Sequence, residues 1–185
     1  MEKIILFLTI FFIFLSPLRA DIKENIITNL ENTKNISFNF EQTINEKVEK
    51  GICTLEYPKK IYCEYNNFNK KLIISDGNSL VIINQKSNQY YRYPLKKTAL
   101  NFILDKKYLI NQIKNLKGRI IDGKYYNFTL INNEGEINIF FDNKSLNLIG
   151  WQTEDIYQNL VITFISSIKL NQKINKNKFK LPKIK

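Results

Sequence analysis

The sequence predicts an α+β fold: one large antiparallel sheet of ten or so strands, curled into an open barrel with a helical cover. Three observations predict it. Short β-branched and aromatic runs follow one another from residue 36 to 94 and again from 119 to 170, each bounded by turn residues. The gaps between runs are too short for crossover connections, so neighbours must be antiparallel. The series is preceded by one amphipathic segment and interrupted midway by another. A sheet of this size curls, and so few helices can cover only its concave face.

The elements follow in order. Residues 21–34 carry Ile22, Ile26, Ile27 and Leu30 on one side, with Lys23, Glu24, Asn25 and Glu31 off it, which reads as an amphipathic helix. From Ile36 the period changes to two: Ile36, Phe38 and Phe40 alternate with Ser37, Asn39 and Glu41, as in a half-buried strand. Strands are then expected at 51–57, 61–65, 71–75, 79–84 and 89–94, with turns at Asp76-Gly77 and Lys86-Ser87-Asn88. Residues 98–116 place Leu100, Ile103, Leu104 and Tyr108 around Asp105, Lys106 and Lys107, predicting one or two short helices capped by Thr98. Strands resume at 119–121, 125–131, 136–142, 146–153 and 160–170. No repeat, linker or second domain breaks the pattern, so residues 21–185 are expected to form a single domain.

Residues 1–20 read differently. Glu2 and Lys3 precede an apolar run from Ile4 to Leu15, and Leu18-Arg19-Ala20 closes it. The run is well short of the ~20 residues of a membrane-spanning helix and ends in a small residue before Asp21, the pattern of a cleavable signal peptide. The mature chain is therefore expected to be soluble and exported. The mature chain would begin at Asp21, with no cysteine there to be acylated.

The formal charge of +11 falls to +10 without the signal segment, which carries one net positive charge. Lysine is scattered rather than clustered, which favours solvated side chains over a docking patch; attraction to anionic lipid surfaces or acidic partners is the alternative. An exported protein rarely meets nucleic acid, and none is expected as a partner. Cys53 and Cys63 flank a segment that reads as two short strands around a Pro58-Lys59 turn, so cross-strand pairing brings them together. An oxidising compartment favours a disulfide; two buried reduced thiols are the other reading.

Chemistry is scarce. The chain has no histidine, which removes the commonest general base and metal ligand. Glu154 and Asp155 are adjacent, wrong for shared acid-base work on a strand. Ser75 before Asp76-Gly77 lacks the elbow of a hydrolase nucleophile and reads as a turn residue. No phosphate loop, metal cluster or dinucleotide fingerprint is present, so neither catalysis nor a cofactor is expected. What remains is an excess of large side chains, Ile36, Phe38, Phe40, Leu55, Ile61, Tyr65, Leu72, Ile74, Tyr91, Tyr93 and Leu95, on strands whose other face is polar. They can form an ordinary core, or a concavity that short helices fail to fill, which would suit lipid.

A series of residues then resembles the LolA family of periplasmic lipoprotein carriers. It comprises Phe40-Glu41-Gln42, Gly51 seven positions before Pro58, Tyr65, the run Leu72-Ile73-Ile74-Ser75-Asp76-Gly77-Asn78-Ser79-Leu80, Tyr93-Pro94-Leu95, Thr98-Ala99-Leu100, Ile103-Leu104 and the closing Phe179-Lys180-Leu181-Pro182. The resemblance implies an incomplete antiparallel β-barrel of about ten or eleven strands with a helical lid over an apolar cavity that takes the acyl chains of lipoproteins, loaded by an inner-membrane ABC transporter, carried across the periplasm and delivered to an outer-membrane lipoprotein acceptor. The cavity residues it implies are Ile36, Phe38, Phe40, Leu55, Ile61, Tyr65, Tyr93 and Leu95, with Leu100, Ile103 and Leu104 on the lid. Cys53, Leu55 and Tyr57 would face inward on one strand, and Ile61, Cys63 and Tyr65 on the next. The family commonly has arginine before the proline, hydrogen-bonded to the lid. Here Tyr57 takes that place and becomes the candidate latch. The family also commonly has an aromatic residue where Cys63 stands. The carrier is expected to act as a monomer. A lipid-binding sensor domain of the same fold, or a carrier of a different lipid, fits the same sequence; an enzyme fits it poorly.

Overall fold

Helix α1 (Ile22–Asn32) is followed by six consecutive strands, β1 (Asn35–Ile44), β2 (Lys47–Glu56), β3 (Lys60–Tyr65), β4 (Lys71–Asp76), β5 (Ser79–Asn84) and β6 (Gln89–Pro94). A 3-10 turn (Leu95–Lys97), helix α2 (Leu100–Leu104) and helix α3 (Lys106–Asn115) interrupt the strands. They resume as β7 (Arg119–Ile121), β8 (Tyr125–Asn132), β9 (Gly135–Asp142), β10 (Leu148–Glu154) and β11 (Leu160–Leu170) before a last 3-10 turn, Lys176–Phe179. This computed structural model describes residues 22–132, 135–155 and 158–182. The candidate signal peptide lies outside the described residues.

All eleven strands form one open antiparallel sheet in the order β6-β5-β4-β3-β2-β1-β11-β10-β9-β8-β7. The first and last strands, β1 and β11, are paired at the centre, while β6 and β7 are the unpaired edges. Every other connection within the two halves joins adjacent strands, so the segment from β6 to β7 alone must travel from one edge to the other. That segment carries α2 and α3. The topology therefore lays the helices across the open side of the curled sheet.

The core lies between helices and concave face. Ile26, Ile27 and Leu30 of α1 and Leu109, Ile110 and Ile113 of α3 join Phe128, Leu130, Ile137, Ile139 and Phe141 of β8 and β9 in one continuous apolar cluster. Each such side chain, fully buried, contributes roughly 1.5–3 kcal/mol. Phe179 is buried as well, anchoring the C-terminal turn.

Three local expectations are corrected. The β1–β2 hairpin extends to a two-residue turn at Asn45-Glu46, both with positive φ (46° and 65°), whereas the sequence pattern placed the second strand no earlier than residue 51. Glu46 is not a turn-forming residue, and Lys47 and Val48 face solvent, so neither signal was visible. Strand β10 begins at Leu148 rather than 146, because Leu146 (φ 56°) belongs to a turn closed by Asp142, whose carboxylate accepts the amides of Lys144 and Ser145. Thr98 does not cap a following helix: its hydroxyl donates backwards to the Leu95 carbonyl (2.8 Å) and closes the 3-10 turn. The cap of α3 is Asp105, whose carboxylate accepts from the Tyr108 amide (3.1 Å).

Candidate functional site

Register sorts the concave face of the first half-sheet into rows. Ile36, Leu55, Ile61, Ser75, Leu80 and Tyr93 are successive partners across β1 to β6; Phe38, Cys53, Cys63, Ile73 and Ile82 form the next row; Phe40, Gly51 and Tyr65 form a third. In the second row Cys53 and Cys63 stand directly opposite each other, Cα atoms 4.1 Å apart, and are joined by a disulfide. In the third, Gly51 leaves room for the Phe40 and Tyr65 rings to meet edge-on, centroids 4.7 Å apart.

These rows face Ile137, Trp151, Thr153, Val161 and Thr163 of β9 to β11, and Ala99, Leu100 and Phe102 of the lid segment close the space between. The cavity, open on one side, is about 780 Å³. Phe38 and Trp151 meet across it edge to face, at 6.4 Å. One end is apolar. The other carries Gln42, Lys71, Thr153, Thr163 and the rim residues Lys97, Glu136, Glu154 and Asp155. Lys71 is held in place: its ammonium lies 3.8 Å from the centre of the Tyr65 ring and pairs with the Glu49 carboxylate, which also accepts from Asn67. Burial pushes the Glu49 pKa up, but Lys71, Asn67 and Lys47 together outweigh it and hold the pKa below the usual carboxylate value. The pair therefore stabilises the fold above the ordinary carboxylate range, and that contribution is lost as pH falls through the depressed value.

Of the expected cavity residues, Phe38, Phe40, Ile61, Tyr65, Tyr93 and Leu100 line this space. Ile36, Leu55 and Leu95 do not, being buried in the core, and neither do Ile103 and Leu104, which are the lid's own buried residues. Ile36 and Leu55 sit in the row nearest the Pro58-Lys59 turn, where α2 closes down on the sheet. The sequence reading missed the far wall, Trp151 and Ile137 above all, whose alternation with outward residues was visible but whose position opposite Phe38 depends on the β1–β11 pairing. A second groove, of about 810 Å³, runs over the outer face past Asn39, Ile52 and Phe164 and is crossed by the Glu41–Lys50 ion pair (2.7 Å). Among the described residues no group of three or more His, Cys, Asp or Glu side chains could hold a metal, and no helix is long and apolar enough to cross a membrane.

The sequence profile described as "Outer membrane lipoprotein carrier protein LolA" matches residues 31–182. The chain belongs to the LolA family. No curated protein matches it in sequence. Among solved structures it is similar to an uncharacterized conserved protein from Thermus thermophilus, at 8% identity and a TM-score of 0.54 over 88% of this chain and 96% of that one. It also matches a LolA superfamily protein from Nitrosomonas europaea, at 10% identity and a TM-score of 0.44 over 87% and 99% of the two chains. A third match is the MucA/MucB complex of Pseudomonas aeruginosa, at 8% identity and a TM-score of 0.46 over 88% of this chain and 62% of that one.

In this LolA-family chain the lid is not fastened where Tyr57 was expected to fasten it. The Tyr57 hydroxyl is buried and has no hydrogen-bond partner among the described residues, and burial pushes its pKa far above the usual phenol value. Its ring packs against the core with the Lys106 ammonium 5.5 Å from its centre. The hydrogen bonds lie two residues on and in the lid itself. The Lys59 amide donates to the Leu104 carbonyl (3.0 Å), and the Lys59 ammonium pairs with Asp105 (3.0 Å). Lys106 donates to the Glu31 and Thr33 carbonyls (3.0 and 2.8 Å) at the C-terminal end of α1, where a cation suits the helix dipole. Tyr57→Phe is thus expected to leave stability unchanged or raise it by about 1 kcal/mol, since it removes an unsatisfied buried hydroxyl. Asp105→Ala removes both the α3 cap and the Lys59 partner and should cost about 1–2 kcal/mol. Hydrogen exchange of residues 104–110 separates the two: faster in Asp105→Ala, unchanged in Tyr57→Phe.

Proposed function

We propose that this protein is a periplasmic carrier that takes up the acyl chains of lipoproteins released from the inner membrane by an ABC transporter and hands them to an outer-membrane acceptor. The observation that carries the reading is the 780 Å³ apolar cavity beneath a lid held by a few polar contacts, in a chain of the LolA family. A methylene takes roughly the ~30 Å³ of a water in the liquid, so with the lid in this position there is room for one long acyl chain and not for three. Exposing such a chain to water costs on the order of ten kcal/mol at about 0.8 kcal/mol per methylene, a barrier that a shielded cavity removes. Release requires the lid to move, which suits contacts as sparse as Lys59–Asp105.

The reading also places residues 1–20 as a cleaved signal peptide and residues 21–185 as one soluble, monomeric domain. It is tested by displacement of an apolar fluorescent probe from the purified native protein by a dipalmitoyl-glyceryl-cysteine peptide. Leu100→Asp puts a carboxylate on the lid's cavity side and should weaken retention of either ligand at least about tenfold while the protein stays folded. Probe binding that appears only on denaturation would show that the aromatic excess is ordinary core.

A further inference from the structure

The polar end of the cavity holds hydrogen-bond donors that the protein itself does not use. Tyr65 donates its hydroxyl to Gln42 Oε1 (3.1 Å), and Gln42 Nε2 donates to Thr163 Oγ1 (3.0 Å). Thr163 therefore acts as acceptor in this chain, and its own O–H remains available to donate. It is 2% exposed. Thr153, 7% exposed, makes no hydrogen bond with any described residue through its hydroxyl, and that hydroxyl is on the cavity wall. Thr163 pairs with Trp151 and Val161 with Thr153, so the two threonines are diagonal neighbours on the concave face. They stand between the apolar wall of Phe38 and Trp151 and the carboxylates of Glu136 and Glu154 at the rim.

Resting on the reading of the cavity as an acyl-chain site, we propose that Thr153 and Thr163 form a step that binds the ester carbonyl at the head of an acyl chain. A saturated chain offers no acceptor. The first acceptor beyond it in an acylated glycerol is the ester carbonyl. Buried donors discriminate strongly against ligands that leave them unpaired.

The test is displacement of the apolar probe by 1-palmitoylglycerol and by its ether analogue 1-O-hexadecylglycerol, which keeps the chain and lacks the carbonyl. The parent protein should prefer the ester about tenfold, and Thr153→Val, close in shape, should lower that preference about fivefold while its circular dichroism and denaturation midpoint stay those of the parent. Equal displacement by ester and ether in the parent overturns the step and leaves the acyl-chain site standing; displacement by neither overturns both. The ester carbonyl is common to lipidated cysteine and to free glycerolipids. A dipalmitoyl-glyceryl-cysteine peptide run beside dipalmitoylglycerol tells which of the two the protein holds more tightly.

Discussion

Gly51→Ala is expected to destabilise the protein by about 3 kcal/mol, at the upper end of overpacking costs. A methyl group there would press into the Glu64 carbonyl oxygen of the neighbouring strand and lie 2.6 Å from Phe40 Cε1. The Phe40 ring could turn aside, but the carbonyl belongs to backbone in the middle of the sheet, where β2 and β3 are in register from Gly51–Tyr65 to Glu56–Lys60. The strain must therefore be met by separating β2 from β3 or by breaking the Phe40–Tyr65 contact. Either movement reaches the cavity, because Tyr65 orients Gln42 and carries Lys71 over its ring. Chemical denaturation should show a lower midpoint with an unchanged slope, and probe affinity should fall with it. An alanine variant of parental stability would mean that the sheet yields at this point far more easily than its pairing implies.

Replacing both Cys53 and Cys63 with alanine should cost about 2–3 kcal/mol by the chain-entropy argument for so short a loop. The two residues are separated by ten positions, and both are buried in the cavity wall between Phe38 and Ile73. Alanine leaves no unsatisfied hydroxyl, so the comparison isolates the cross-link and the lost sulfur contacts. The hairpin itself stays paired by its backbone, and the variant should fold with native-like circular dichroism at a lower denaturant midpoint. Intact mass before and after reduction and alkylation establishes whether periplasmic material carries the bond. Two freely alkylated thiols in unreduced material would contradict it.

Much of the architecture was legible because its signals are local. The alternation Ile36-Phe38-Phe40, the Asp76-Gly77 and Lys86-Ser87-Asn88 turns and the stripe of α1 each determine their own element. The division of the apolar residues between core and cavity was not legible, because it depends on which row of the sheet lies under α2. Ile36 and Phe38 have the same pattern in sequence, yet Phe38 lines the cavity and Ile36 does not. Phe140 and Phe164, by contrast, stack on the outer face at 5.8 Å, across Gly150. Tyr57 occupies the position the family resemblance marked, but hydrogen bonding to the lid has moved to Lys59. That shift could be seen only once the Leu104 carbonyl and Asp105 were placed beside the turn.

The central claim is that the cavity holds acyl chains belonging to lipoproteins. Native mass spectrometry of the protein purified from the periplasm, with no detergent exchange, tests it most directly. A one-to-one complex with acylated polypeptides is expected, and Leu100→Asp should lose it. A protein that carries only free phospholipid, glycolipid or hopanoid, or that emerges with nothing bound, would contradict it.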